Sequence, residues 1–315
     1  MGIHSGAFTC LLAAMRTTSL ATALLMFAAA CGSDGGTEPP AIDAPPSTTE
    51  PGWAHLIGRS WSVPPGSADT YKCIRIAVTE DIWVSGFRAI APPGTHHTVI
   101  TLSNNGSQLG EYDCSVGSLD LQMLYASGVG TAELNFPEGV AMKIKAGQFI
   151  NLNLHLFNAS DTPLTGTSGI EVYRRNPDGV VHEADMTFSG TTNINVPSDG
   201  QPHDVTGGCQ LSQQWNVFTV WPHMHQHATH QSLEITQAGT TIKVLDNKPY
   251  SFEEQVNYPM QTMVLNPGDR IKTTCTYVNN TGVPLRFGDS SNEEMCFTGM
   301  YKYPAGGSLY SCALN

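Results

Sequence analysis

The sequence predicts an all-β protein made of two tandem antiparallel β-sandwich domains. Three features carry that prediction. Strand-like runs, either alternating or short and apolar, recur along the chain and mostly end at Gly, Pro, Asn or Asp. No run of ten or more residues shows a helical stripe. Beyond residue 31 the six cysteines divide two and four between the halves of the chain, as two separately stapled domains would have them.

The runs are Cys73 to Val78, Ile82 to Phe87, Thr98 to Leu102, Phe149 to Phe157, Gly169 to Tyr173, Asn216 to Trp221, Ser232 to Thr236, Thr241 to Val244 and Arg270 to Val278. SLDLQMLYASG, Ser118 to Gly128, reads as a short helix or a loop. Between Val181 and Asp199 the pattern resets, which divides the folded part into 53–185 and 186–315. A length of 315 residues accommodates two such domains. Charged residues make up only 13% and the formal net charge is −12, which leaves no basic face for nucleic acid.

Residues 1–31 read as a bacterial lipoprotein signal. Leu20 to Cys31 is an apolar run too short to span a bilayer; Ala28-Ala29-Ala30 forms the cleavage approach and Cys31 is the lipidated residue. Met15 followed by Arg16 offers an alternative start. Residues 32–52, rich in Pro, Gly, Ser and Thr, form a tether, because they hold too little apolar surface to offset ordering entropy. The mature chain is thus exported to the cell envelope and meets a membrane only through its lipid anchor. The remaining cysteines, Cys73, Cys114, Cys209, Cys275, Cys296 and Cys312, include no C-x-x-C pair. An even number in an exported chain points to three disulfides, with fifteen pairings open.

The histidines carry the chemistry. In LNLHLFN, Leu152, Leu154 and Leu156 share one strand face, and Asn151, Asn153 and His155 share the other. Position alone makes His155 a polar residue on a solvated sheet face, so it needs partners. His96 and His97 are candidates, because APPGT just upstream lets the strand begin irregularly and both rings then reach one side. Three imidazoles suit copper or zinc. In WPHMHQHATH, a strand continued from Val217 puts Trp221, His223, His225 and His227 on one face and Met224 on the other. A His-x-His pair places two imidazoles side by side, as a metal requires. Amidohydrolases also open their metal site with His-x-His, but on an α/β barrel whose helices are missing here.

With NEEMCFTGMYKYP, Asn292 to Pro304, the chain resembles the copper type II, ascorbate-dependent monooxygenases, which include peptidylglycine α-hydroxylating and dopamine β-monooxygenases. The matching motifs are His96-His97, His155, His223-x-His225 and Glu294-Met295-Cys296, in the family's order and near its spacing, with LQMLYASG from Leu121 also similar. The resemblance runs from about Trp53 to the end.

It implies two jelly-roll-like sandwiches facing each other across a solvent-filled copper cleft, with two coppers per chain. His96, His97 and His155 would hold the electron-transfer copper. His223, His225 and Met295 would hold the copper at which O₂ is activated, a thioether beside two imidazoles favouring Cu(I). Ascorbate, or another one-electron reductant, would supply electrons, and one oxygen atom would enter an aliphatic C–H of a small-molecule substrate. Family position pairs Cys73 with Cys114, Cys209 with Cys312, and Cys275 with Cys296. The peptide-amidating branch has an Arg where this chain has Trp221, and an Asn and a Tyr where it has Phe297 and Gly299. A pocket lined by Trp221 and Phe297 cannot pair a carboxylate, which argues against glycine-extended peptides and for an apolar or aromatic substrate. His227 and His230 have no counterpart as ligands; His227, on the face of His223 and His225, is an alternative third imidazole, His230 reads as solvated, and Met224, Met260, Met263 and Met300 are alternative thioethers, although core packing explains most methionines. The alternative is an exported, lipid-anchored copper-binding protein without turnover.

Overall fold

The computed structural model describes residues 52–106, 108–120 and 122–313; the expected signal segment with Cys31, and the tether up to residue 51, lie outside them. The first sandwich holds β1 (Gly52–Val63), β2 (Ser67–Ala77), β3 (Ile82–Ile90), β4 (Thr95–Ser103), β5 (Gly110–Asp113), β6 (Gln122–Ser127), β7 (Leu134–Asn135), β8 (Val140–Ile144), β9 (Phe149–Asn158), β10 (Leu164–Arg174) and β11 (His182–Glu183). The second holds β12 (Asp185–Thr191), β13 (Asn195–Val196), β14 (Pro202–Gln210), β15 (Trp215–His223), β16 (Ala228–Gln237), β17 (Thr240–Asn247), β18 (Tyr258–Leu265), β19 (Arg270–Val278), β20 (Leu285–Arg286) and β21 (Cys296–Tyr303). Among the described residues the only helical element is a three-residue 3-10 turn, Pro177–Gly179.

In the first sandwich a sheet of order β1-β10-β3-β8-β11, with β7 on β3, packs on one of order β5-β2-β9-β4-β6. In the second, β12-β21-β15-β18 packs on β14-β19-β16-β17, and β13 pairs with β20 alongside. The chain passes from one set of sheets to the other between Glu183 and Asp185. The Lys302 ammonium marks this crossing: it donates to Asp185 Oδ1 at 2.6 Å and to the carbonyls of Pro304 and Gly306 at 3.0 and 3.1 Å.

Eight of the nine expected runs fall within strands, and Cys73 to Val78 runs one residue past the end of β2. The helix or loop expected over Ser118 to Gly128 is corrected: Gln122–Ser127 is a strand paired with β4. Five of its six residues are buried, so it shows no alternation to read. A second correction concerns β9. Leu152, Leu154 and Leu156 face the core as parity requires, but Asn151, Asn153 and His155 are buried too, at 0%, 4% and 8% exposure. The segment after Cys114 crosses that face, where Asn151 Nδ2 donates to Ser118 O and Asn153 Nδ2 to Ser115 O, each at 2.9 Å. The face is polar because backbone carbonyls cover it, not water.

The hydrophobic core of the first sandwich continues into the second. Phe136 meets Phe218 at 4.9 Å and Tyr301 at 5.7 Å between centroids, and the Tyr301 hydroxyl donates to Leu124 O at 3.3 Å. Three disulfides, Cys73–Cys114, Cys209–Cys312 and Cys275–Cys296, form the pairing that the resemblance implies. They accord with an oxidising, exported environment. Among the described residues no helix is long and apolar enough to cross a membrane.

Candidate metal centres

The first set forms where β4 meets β9. Thr95 pairs with Leu156 and His97 with His155, so the register slips at His96. This bulge lets two consecutive histidines turn to one side, which a regular strand forbids. His96 Nδ1 lies 3.0 Å from His97 Nδ1 and 3.2 Å from His155 Nδ1, and the ligand atoms of the trio all fall within 4.8 Å of one another. Outer partners fix the tautomers. His155 Nε2 faces Asp69 Oδ1 at 3.0 Å, and His96 Nε2 faces the Glu253 carboxylate in a close contact. A carboxylate only accepts, so each Nε2 carries the proton and each Nδ1 presents a lone pair. The lone pairs of His96 and His155, aimed at one another at 3.2 Å, repel, and a cation between them removes the repulsion. The Tyr71 ring stacks on His155 at 4.6 Å and completes the wall.

The second set lies at the end of β15. His223 Nδ1–H donates to Gln255 Oε1 at 2.6 Å, and the amide orientation is fixed because Gln255 Nε2 donates to the carbonyls of Phe252 and Met224. His223 Nε2 is left with its lone pair, 3.3 Å from Met295 Sδ. His225 Nδ1–H donates to Glu293 O at 3.0 Å and likewise leaves Nε2 free. The two rings stand 5.4 Å apart at 82°. Both imidazoles and the Met295 thioether line one cavity, and two imidazoles with a thioether form a donor set suited to Cu(I).

The strand does not continue as parity assumed. β15 ends at His223, and a turn carries the chain to Ala228. Glu294, fully buried, holds that turn by accepting from His225 N–H at 2.9 Å and His227 N–H at 2.8 Å. His225 thus reaches the site through a turn pinned by the residue before Met295. Met224 does point the other way, into a core with Tyr250 and Tyr277. His227 is not among the residues lining the cavity, and His230 pairs with Asp246 at 2.5 Å.

Burial favours the neutral form of His97, His155, His223 and His225, the form that binds metal. His97 lies well below its ordinary 6.5, through desolvation first and then the neighbouring imidazoles. Burial lowers His155 and His225 as well, and burial followed by His225 takes His223 down to about 3. The unfolded rings would accept protons near pH 6.5. Between the folded values and 6.5 the unfolded state binds more protons, so stability rises with pH there. Glu294 acts oppositely: burial lifts it from 4.5 to about 8 against its backbone N–H donors, and stability declines as pH rises through that span. Below pH 6.5 four imidazoles outweigh one carboxyl. The Tm of the metal-free chain, measured by calorimetry, is expected to fall from pH 7 to pH 5; a constant Tm would show that the rings are protonated in the fold.

Both sets open onto one cavity of about 270 Å³. Trp221 and Phe297 line it, with Phe188 and Tyr310 beside them. Trp221 stacks on His223 at 4.9 Å, and Phe188 stacks on Phe297 at 5.1 Å. Gly299 pairs with Trp221 across the sheet, where a Cβ would stand 3.2 Å from the indole and 2.3 Å from Met186 Cε, so this glycine makes room for the tryptophan. No Lys or Arg is among the lining residues. Sequence reasoning missed Asp69, Glu253, Gln255, Phe188 and Tyr310, which reach the site across the fold from segments without a motif.

Comparison with known proteins bears on the second sandwich. The family model for the C-terminal domain of copper type II ascorbate-dependent monooxygenases matches residues 182–314. No curated protein matches the sequence closely enough to count as a relative. Among solved structures, the chain is similar to a complex of the plant peptide RALF23 with FER and LLG2, at 8% identity over 82% of each chain and a TM-score of 0.19. It is also similar to PBCV-1 VP54 fitted into a reconstruction of the virophage Sputnik, at 9% identity over 81% of this chain and 97% of that one, TM-score 0.23. The infectious bursal disease virus Gt strain gives 10% identity over 84% and 81%, TM-score 0.19. These three similarities are too low to bear on function. The family match spans the sandwich that carries His223, His225 and Met295, and it makes residues 182–314 similar to the C-terminal domain of the copper type II, ascorbate-dependent monooxygenases.

Proposed function

We propose that the chain hydroxylates an aliphatic C–H of a small apolar or aromatic molecule, using O₂ and electrons from ascorbate or another one-electron reductant. In this reading one copper sits among His96, His97 and His155 and transfers electrons, and a second sits among His223, His225 and Met295, where O₂ is activated. The observation that carries it is that a cluster of three histidines and a set of two histidines with a methionine open onto one aromatic cavity. Copper, when bound, would supply the one-electron and oxygen chemistry that these side chains lack.

The chain's own residues do the rest. Trp221, Phe297, Phe188 and Tyr310 present ring faces and edges to a substrate and exclude water. With no cationic side chain on the wall, a substrate carboxylate would be desolvated without a partner, which disfavours glycine-extended peptides. An apolar cavity of roughly 150 Å³ holds benzene, so the space here suits a molecule of one or two rings. A lipid on Cys31 would keep the enzyme at the envelope membrane.

The copper-loaded mature chain, given ascorbate and a panel of small aromatic and aliphatic compounds, should consume O₂ in step with a hydroxylated product. Full copper binding with no substrate-coupled O₂ uptake across the panel would favour the copper-binding protein without turnover.

A further inference from the structure

Both donor sets lean on one short stretch that belongs to neither. The loop of residues 248–257, between β17 and β18, leaves the second sandwich and attaches to the first. Gly128 N–H donates to Gln255 O and Val129 N–H to Glu253 O, each at 3.3 Å, and Asn257 Nδ2 donates to Ala126 O at 3.4 Å. Glu253 accepts from His96 Nε2 in the first set, and Gln255 accepts from His223 Nδ1 in the second. The Phe252 ring lies between, with centroids 5.7 Å from His97, 5.9 Å from His96 and 6.1 Å from His225. Gln255 is 1% exposed, and its amide also ties the loop back to Met224 O and Phe252 O.

We propose that Glu253 and Gln255 are positioning residues, through which this one loop orients a ligand ring in each centre and couples the two centres energetically. The inference rests on the reading that both sets hold copper. An acceptor on the far nitrogen of an imidazole fixes its tautomer and its plane and raises the basicity of the ligating nitrogen; loss of such a partner typically costs 10–100-fold in metal affinity. Glu253 comes from the opposite sandwich, so the first centre is complete only while the loop is docked. Gln255 holds the loop in place as well as orienting His223, so a disturbance at the second centre reaches the first through three residues of chain. Coupling of this kind is reciprocal.

The test uses the full chain, stripped of metal and titrated with Cu(II) against a competing chelator, each centre being followed by electron paramagnetic resonance. Glu253→Ala should weaken copper at the three-histidine centre by roughly 10–100-fold and shift its hyperfine pattern, leaving the second centre unchanged. Glu254→Ala removes the same charge one residue away, contacts no ring, and should match the parent. Gln255→Ala should perturb both centres, and near-ultraviolet circular dichroism checks that each variant is folded. A parent that binds copper at both centres while Glu253→Ala titrates like Glu254→Ala would overturn the role of Glu253. A Gln255→Ala effect confined to the second centre would overturn the coupling. A parent that binds no copper would sink the reading of the centres and this inference with it.

Discussion

Replacing His223 and His225 together by alanine is expected to drive ascorbate-dependent O₂ consumption below about a thousandth of the parent rate, the scale on which loss of one preorganised contact already acts. Each ring is committed through Nδ1 to a fixed acceptor, Gln255 Oε1 or Glu293 O; His223 Nε2 lies beside Met295 Sδ, and His225 lines the same cavity. Without them the thioether stands alone, and a lone thioether is a weak donor. Copper bound per chain should fall by half, with the remaining ion keeping the spectrum of an all-imidazole site. The reciprocal variant, His96→Ala with His155→Ala, should spare the thioether centre and remove the other. Atomic absorption with electron paramagnetic resonance reads both, and full copper in either double variant would refute the corresponding ligand set.

At Lys302 the expected effect is on stability. The side chain is 0% exposed, and its ammonium is shared among Asp185 and two carbonyls, with the Trp215 ring 5.1 Å away. Lys302→Met keeps the length and removes the charge. Asp185 and both carbonyls are then left partly buried without their donor, which costs about 3–5 kcal/mol. For a chain of this size that corresponds to a Tm lower by about 10 °C, measured by calorimetry on the parent and the variant. Asp185 itself is raised by burial and pulled down by Lys302, so losing the lysine also favours its protonated form. A Tm change under 2 °C would mean that water reaches these groups after the substitution.

Elements were legible where burial alternates. β19 shows period two in the sequence and in the structure, with Ile271, Thr273 and Cys275 inward, whereas β9 was legible from its alternating residue types alone, Leu152, Leu154 and Leu156 against Asn151, Asn153 and His155, both of its faces being buried. Strands buried on both faces were harder. Cys296–Tyr303 has seven of eight residues buried and therefore carries no alternation, although it is the central partner of β12 and β15. Pro202–Gln210 is disguised by Pro202, Gly207 and Gly208; at Gly208, φ +143°, a Cβ would lie 2.0 Å from Ile271 O, so close strand pairing requires the glycine that hides the strand. The donor atoms fared differently from their supports. His-x-His and the adjacent histidines are local patterns, visible in a few residues. Parity misassigned the route to His225, because a turn held by Glu294 is invisible to a strand template. Asp69, Glu253 and Gln255 act across strand pairs or across sandwiches, and no local spacing announces them.

The core that runs unbroken from Leu124 and Phe136 into Phe218 and Tyr301 has a consequence for how the molecule works over time. A hinge between the sandwiches would have to pull these rings apart, exposing apolar surface at about 25 cal/mol for each Å². Catalysis by opening and closing the halves would meet that barrier at every cycle. The separation of the two histidine sets is therefore a fixed dimension of the molecule, and in the proposed reaction electrons crossing from one to the other would traverse the same stationary gap at each turnover.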